Sequence, residues 1–271
     1  MNDKSELIIS KIKKETILSL LRKNERIDNR ALDEYRKIQI TTGLIGKANG
    51  SAIVKLGDTT VITGVKIQID KPFPDTPDRG IQIVNAELIP LASPIFEPGP
   101  PGEDDVELSR VVDRGLRSAE IIKLDELVLI PGEKVWAIFI DIYALDYGGN
   151  IIDAAALASV SAILTTKYNK AVIENGDVRI TDEQVPLPLG SIPVFVTIAK
   201  IGDKLIVDPS YEEELVMDAR ITFVIDDNNN ITGIQKGHPG TFTYGELIEA
   251  KNLAIRVSKE LREKLPSVHN E

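Results

Sequence analysis

The order of elements in this 271-residue chain predicts an α+β fold of two related strand-rich subdomains, each closed by helices. Two observations carry the prediction. Runs of short strands joined by tight glycine turns end in a long helix twice along the chain, and the prolines and glycine gathered from Val185 to Ser191 separate the two runs. The chain accordingly divides into an N-terminal helical extension over 1–30, a first subdomain over 31–187 and a second over 188–271. With 42% hydrophobic and 27% charged residues it can bury a sizeable core.

Leu7, Ile8, Ile12, Leu20 and Leu21 outline an amphipathic N-terminal helix that packs on the body. Tyr35 to Gly43 alternates as a strand, and Ser51–Leu56 with Val61–Ile69 reads as a hairpin about Gly57-Asp58. Ile81 to Ile89 adds a further strand. Pro90, Pro94, Pro98, Pro100 and Pro101 are too dense for a helix or a central strand, so they mark a long ordered surface loop. Glu103, Asp104 and Asp105 then place negative charge at the start of a helix that runs to about Lys123, and helix initiation is one reason for them.

Leu127–Ile130 and Val135–Leu145 are strands joined by Pro131-Gly132. After the turn Asp146 to Asn150 comes a helix from Ile151 to about Tyr168, whose Ala154, Ala155, Ala156, Ala158 and Ala162 suit close packing in the interior. Three hairpins follow. They are Val172–Ile180 about Asn175-Gly176, Ile192–Ile201 with Lys204–Asp208 about Gly202-Asp203, and Arg220–Ile225 with Ile231–Lys236 across Asp226–Asn230. A helix from Tyr244 to Leu265 closes the chain.

Composition removes several chemistries. The chain has no cysteine, so disulfides, thiol nucleophiles and cysteine-bound zinc are excluded, and a reducing interior fits better than secretion. The two histidines, His238 and His269, lie near the C-terminus and read as solvated loop residues, with none placed for a histidine metal site or a Ser-His-Asp triad. The N-terminus lacks the continuous apolar core of a signal peptide, and no segment approaches the ~20 apolar residues of a membrane span. Phosphate-loop, dinucleotide and HExxH motifs are absent. Forty-two acids against 32 bases give a net charge of −10, so contact with nucleic acid must be local.

Three local features point to chemistry. Asp146-Tyr147-Gly148-Gly149-Asn150 feeds a helix N-terminus, where free N–H groups and the helix dipole favour an anion, yet it carries no Ser, Thr, Lys or Arg to clamp one. Arg110, Arg114 and Arg117 stand at i, i+4 and i+7 on one helix face, a spacing of ~6 Å that suits a phosphate backbone. The ordinary alternative pairs Glu107 with Arg110 and Asp113 with Arg117. Asp208 at a strand end, with Glu212, Glu213, Glu214 and Asp218, could hold a divalent ion or supply a general acid; the ordinary alternative is a turn-starting Asp before Pro and a solvated acidic face.

Arg26-Ile27-Asp28-Asn29-Arg30, Gly50-Ser51-Ala52 with Gly57-Asp58-Thr59, Pro98-Gly99-Pro100-Pro101, Glu107-Leu108-Ser109-Arg110 and Leu145-Asp146-Tyr147-Gly148-Gly149-Asn150, in this order and spacing, resemble the RNase PH family. Within it they are similar to the non-catalytic RNase PH-like subunits of the archaeal exosome, from about residue 20 to about residue 260. The resemblance implies an RNase PH-like fold in both subdomains, and a cytoplasmic ring of three heterodimers with a catalytic RNase PH-like sister subunit. It also implies RNA-binding cap proteins on that ring, and single-stranded RNA passing through to be shortened from its 3′ end by phosphate. It implies no cofactor and no metal.

Catalytic relatives carry a Ser-Arg pair after the glycine of the turn, where this chain has Gly149 and Asn150. They carry adjacent arginines just before the Glu-Leu of the arginine helix, where this chain has Glu103 and Asp104. Of the two family aspartates, Asp208 matches the first and the second falls at or near Glu214. The resemblance thus implies a degenerate phosphate site at Gly148, Gly149 and Asn150, a residual acidic site at Asp208 and Glu214, and no catalytic residue. It assigns RNA contact to Arg110 and Arg114, with Arg117 on the same face. Two alternatives stand beside it: an active phosphorolytic 3′–5′ exoribonuclease with an atypical phosphate site, and a purely structural ring subunit.

Overall fold

The computed structural model describes residues 3–174 and 176–267, with side chains from residue 13. The side chains of Leu7, Ile8 and Ile12, together with Asn175 and His269, lie outside the described residues. The N-terminal helix α1 (Asp3–Arg22) sets Ile17 and Leu21 into a small cluster with Ala199, Ile201, Ile206, Val216 and Met217.

Alternating apolar residues build a first sheet from β1 (Ile38–Thr42), β2 (Gly50–Leu56), β3 (Thr59–Asp70), β4 (Ile81–Leu88), β5 (Val128–Ile130) and β6 (Lys134–Asp146). Its order is β1-β2-β3-β6-β4, with β5 on β6. Neighbours are antiparallel except β4 and β6, which run parallel because α2 (Glu103–Ser118) crosses over between them. After β6 come the buried helix α3 (Ile151–Leu164) and an outlying hairpin of β7 (Lys167–Glu174) and β8 (Asp177–Pro186).

The second sheet has the order β10-β9-β11-β12, from β9 (Val194–Ile201), β10 (Lys204–Val207), β11 (Ala219–Ile225) and β12 (Ile231–Gly237). A one-turn helix, α4 (Tyr211–Glu214), lies between β10 and β11, and α5 (Tyr244–Lys264) packs on β9 and β11.

The core runs through α3. Every residue from Ile152 to Leu164 is buried, because the helix touches β2 and β3 on one side and β9 on the other. Alanines at successive turns let both sheets approach, and this position fixes the turn before α3 between the two sheets. Gly115 does the same for α2: a Cβ there would meet the Phe195 ring at 2.1 Å.

Two helices end earlier than their patterns predict. α2 stops at Ser118 rather than near Lys123, because Glu120 takes a left-handed turn (φ 53°) and Ile121 and Ile122 are drawn into the core, where Ile122 bridges to Leu189. α3 stops at Leu164 rather than near Tyr168; the hydroxyls of Thr165 and Thr166 donate back to Ala162 O, and the chain turns into β7. No pattern predicted α4, although Ser210-Tyr211-Glu212-Glu213 is a capping box in which Glu213 Oε2 accepts from Ser210 N at 2.8 Å.

Candidate functional site

The turn between β6 and α3 is held from both sides. Gly149 has φ +94°, and a Cβ on it would lie 2.5 Å from Tyr211 N, so only glycine fits. Gly148 O accepts from Tyr211 N at 2.9 Å and from Arg36 Nη1 at 2.7 Å, and Gly149 O accepts from Thr59 Oγ1 at 2.6 Å and Arg36 Nη2 at 3.0 Å. Asn150 follows in the left-handed region, φ 52°.

The turn that the sequence reads as an anion seat without side-chain clamps carries a carboxylate of the chain itself. Glu214, the last residue of α4, places Oε1 2.9 Å from the Asn150 N–H and Oε2 2.5 Å from the Tyr147 hydroxyl. Burial pushes the Glu214 carboxyl above its ordinary range, against the lowering effect of those two donors and of Arg220 and Arg36.

Asp208 is also not solvated. It is fully buried at the end of β10 with φ 50°, and its carboxylate accepts five hydrogen bonds. Arg36 supplies Nε at 2.9 Å, Nη2 at 2.8 Å and its backbone N–H at 2.8 Å; Arg30 Nη1 adds one at 2.9 Å and Asn150 Nδ2 one at 2.8 Å. Burial alone would raise the Asp208 pKa, but the bonds and charges of Arg36, with the charge of Arg30, hold it below the ordinary carboxylate value. It is therefore ionised and saturated, with no proton to give at neutral pH and no oxygen turned toward a ligand.

In the acidic run after Asp208, Glu213 is buried while Glu212 and Asp218 are half-buried, so the run is not a fully solvated face. Glu213 forms a buried bidentate pair with Arg26 at 2.9 and 2.5 Å, and Asp218 accepts from Lys14 Nζ at 2.9 Å and Gly202 N at 2.7 Å. Asn150 separates the two residual acids: its side chain bonds Asp208 and Asp153, its backbone bonds Glu214. Asp153, buried in α3, also accepts from Tyr35 Oη at 2.7 Å and from Thr197 N and Oγ1 at 3.0 and 2.7 Å; burial nonetheless raises its pKa to about 6.

On α2, Leu108, Val111, Val112, Gly115 and Leu116 are buried while Arg110, Arg114 and Arg117 are exposed, so one face carries all three cations. Arg117 is committed. It bonds both Asp113 oxygens at 2.9 and 2.8 Å and also donates to Gln82 O. The expected Glu107–Arg110 pair does not form, because Glu107 is taken by Arg220 of β11 at 2.8 Å. Arg110 and Arg114 have no hydrogen bond or ion pair among the described residues.

Of the acids that open α2, Asp105 caps it through Gly102 N at 2.8 Å, while Asp104 lines a cleft of about 380 Å³ with Glu107, Phe96, Tyr147, Tyr211 and Glu214. Exposed His238 borders the same cleft. No group of three or more His, Cys, Asp or Glu among the described residues is placed to hold a metal ion, and no helix among them is long and apolar enough to cross a membrane.

Sequence reasoning missed Arg36, the principal partner of Asp208, and the Arg26–Glu213 pair behind it. Arg36 leads into β1 with no local motif, and its importance comes only from a contact 172 positions away. Arg26 and Arg30 do stand in the quoted Arg-Ile-Asp-Asn-Arg run, which was the available signal.

A two-sheet fold clasping a buried helix, with a glycine turn and paired acids where the sheets meet, defines an RNase PH-like two-domain protein. Residues 34–169 match domain 1 of the 3′ exoribonuclease family and residues 191–257 match domain 2. The chain belongs to this RNase PH family. It is 46% identical over 260 residues to the exosome complex component Rrp42 of Thermococcus kodakarensis, covering 95% of this chain and 96% of that one.

Two solved structures are similar. One is a chain of an Archaeoglobus fulgidus exosome with RNA bound to the active site (TM-score 0.87, 48% identity, 95% of this chain and 99% of that chain). The other belongs to an archaeal exosome core (TM-score 0.84, 45% identity, 96% and 98%).

Proposed function

We propose that this chain is a non-catalytic subunit of an archaeal-type exosome. In this reading it structures the active site of a catalytic RNase PH-like sister subunit and contributes Arg110 and Arg114 to binding single-stranded RNA. The observation that carries it is a contrast in commitment. The acids that would act on substrate are spent on Arg36, Arg30, Asn150 and Tyr147, whereas two arginines on one exposed face have no partner among the described residues.

Phosphorolysis brings an anionic nucleophile against an anionic backbone, so it needs cations and donors aimed at the developing charge. At this turn the resident group is a carboxylate, and Asp104 and Glu107 line the adjoining cleft. That environment repels phosphate. Arg110 and Arg114 stand ~6 Å apart along α2, close to the repeat of phosphates along an extended strand. The chain's net charge of −10 disfavours nonspecific adsorption, so binding would be confined to this face.

The fold, the resemblance to exosome chains and the two subdomains over 31–187 and 188–271 support a ring of three heterodimers carrying RNA-binding cap proteins, in the cytoplasm. The test is RNA affinity of the assembled ring against salt. Arg110→Ala with Arg114→Ala leaves the ring intact and lowers the slope of log K on log salt by ~2. An unchanged slope would instead favour a purely structural subunit.

A further inference from the structure

The turn before α3 offers an anion the backbone N–H of Asn150 and the hydroxyl of Tyr147, and both already hold one. The Glu214 carboxylate meets them at 2.9 and 2.5 Å, and the positive charges of Arg220 and Arg36 bear on it.

Its delivery is rigid. α4 is capped by Ser210, its Glu213 is locked to Arg26, and Tyr211 N donates to Gly148 O at 2.9 Å, so the turn and the acid are braced against each other. The 380 Å³ cleft is lined by Glu214 itself, so a small anion entering from solvent would meet this carboxylate before it met the Asn150 N–H.

We propose that Glu214 is a built-in stand-in for phosphate: it occupies the anion seat at the turn, excludes inorganic oxyanions from it, and its removal converts the seat into a site for inorganic phosphate. The geometry of the turn carries this proposal, which stands whether or not Arg110 and Arg114 bind RNA. Two charges of like sign repel and cannot share the same two donors, so self-occupancy and phosphate binding exclude each other. With Glu214 gone, Arg36 and Arg220 remain beside the seat and the Asn150 N–H and Tyr147 hydroxyl are freed.

The experiment is a phosphate titration of the full chain followed by ³¹P line broadening and by melting temperature, at constant ionic strength. It is run in an Arg110→Ala/Arg114→Ala background so that the exposed arginines do not contribute. Glu214→Ala, which empties the seat, and Glu214→Gln, which keeps its volume and removes its charge, are compared with the parent. The parent shows no saturable response. At least one variant that retains the parent's circular dichroism binds phosphate at least about tenfold more tightly, with a phosphate-dependent rise in melting temperature. Saturable binding by the parent of equal strength, or no gain in either folded variant, overturns the proposal.

Discussion

Arg36 closes on Asp208 three ways, with Nε and its backbone N–H on Oδ2 at 2.9 and 2.8 Å and Nη2 on Oδ1 at 2.8 Å. The same guanidinium holds Gly148 O and Gly149 O, so one side chain ties the end of β10 to the turn before α3. Asp208, which the resemblance matches to a family aspartate, is thus an internal strut between the two segments. Both carboxylates at this turn, Asp208 and Glu214, are bonded to groups of the chain itself.

Removing the acid from this pair strands two arginines in a buried setting. Asp208→Asn is expected to cost about 3–5 kcal/mol of stability in urea denaturation, since breaking one side of a buried pair leaves an uncompensated charge. A midpoint unchanged from the parent would contradict the strut role. The sign with pH is that of a depressed carboxylate: the contribution is full above the ordinary value of 3.8 and is lost as pH falls through the lower folded value.

Asp153 gives the opposite dependence. Its folded pKa of about 6 lies above the ordinary 3.8, so the folded state binds the proton more tightly and stability rises as pH falls from above 6 toward 4. About two pKa units correspond to roughly 3 kcal/mol at most. Urea midpoints measured at steps from pH 7 to pH 5 should increase; a steady decrease would remove Asp153 as a buried, proton-binding group.

Putting back the serine of catalytic relatives should fail. At Gly149 a side chain would meet the Pro209–Tyr211 backbone, and the residue sits at φ +94°. Gly149→Ser is expected to lose at least about 2 kcal/mol, read as a lower melting temperature, without gaining phosphate-dependent activity. Full stability in this variant would show that α4 can move away from the turn.

The three arginines of α2 should separate in assay. Arg117 is bonded to Asp113 and Gln82, so Arg117→Ala is expected to lower stability by about 0.5–1 kcal/mol and leave the salt slope of RNA binding nearly unchanged. Arg110→Ala should do the reverse, reducing the slope by ~1 with stability intact. Equal effects of the two substitutions on RNA would argue that the Asp113 pair opens on binding.

Much of the fold was legible because its signals are local. Gly57-Asp58, Gly202-Asp203 and the Asp226–Asn230 segment each mark a hairpin, and the alanines of α3 announce a helix pressed between layers. The arginine face was legible from its i, i+4, i+7 spacing. What was not legible is who answers whom across the chain. Glu107 chooses Arg220 over the nearer Arg110, and Glu214 fills a seat 64 positions upstream, because the second sheet brings them there. The ends of α2 and α3 were misplaced for the same reason: Ile121, Ile122 and Thr166 answer to tertiary packing rather than to helical period.

The most direct test is an RNA-trimming assay with inorganic phosphate and a single-stranded 3′ end, run on this chain alone and then reconstituted with a catalytic RNase PH-like sister subunit. The chain alone is expected to give no phosphate-dependent shortening and no nucleoside diphosphate release, and the reconstituted ring processive 3′-to-5′ shortening. Phosphate-dependent shortening by the purified chain alone, abolished by Asp208→Asn, would contradict this and identify this chain as an enzyme.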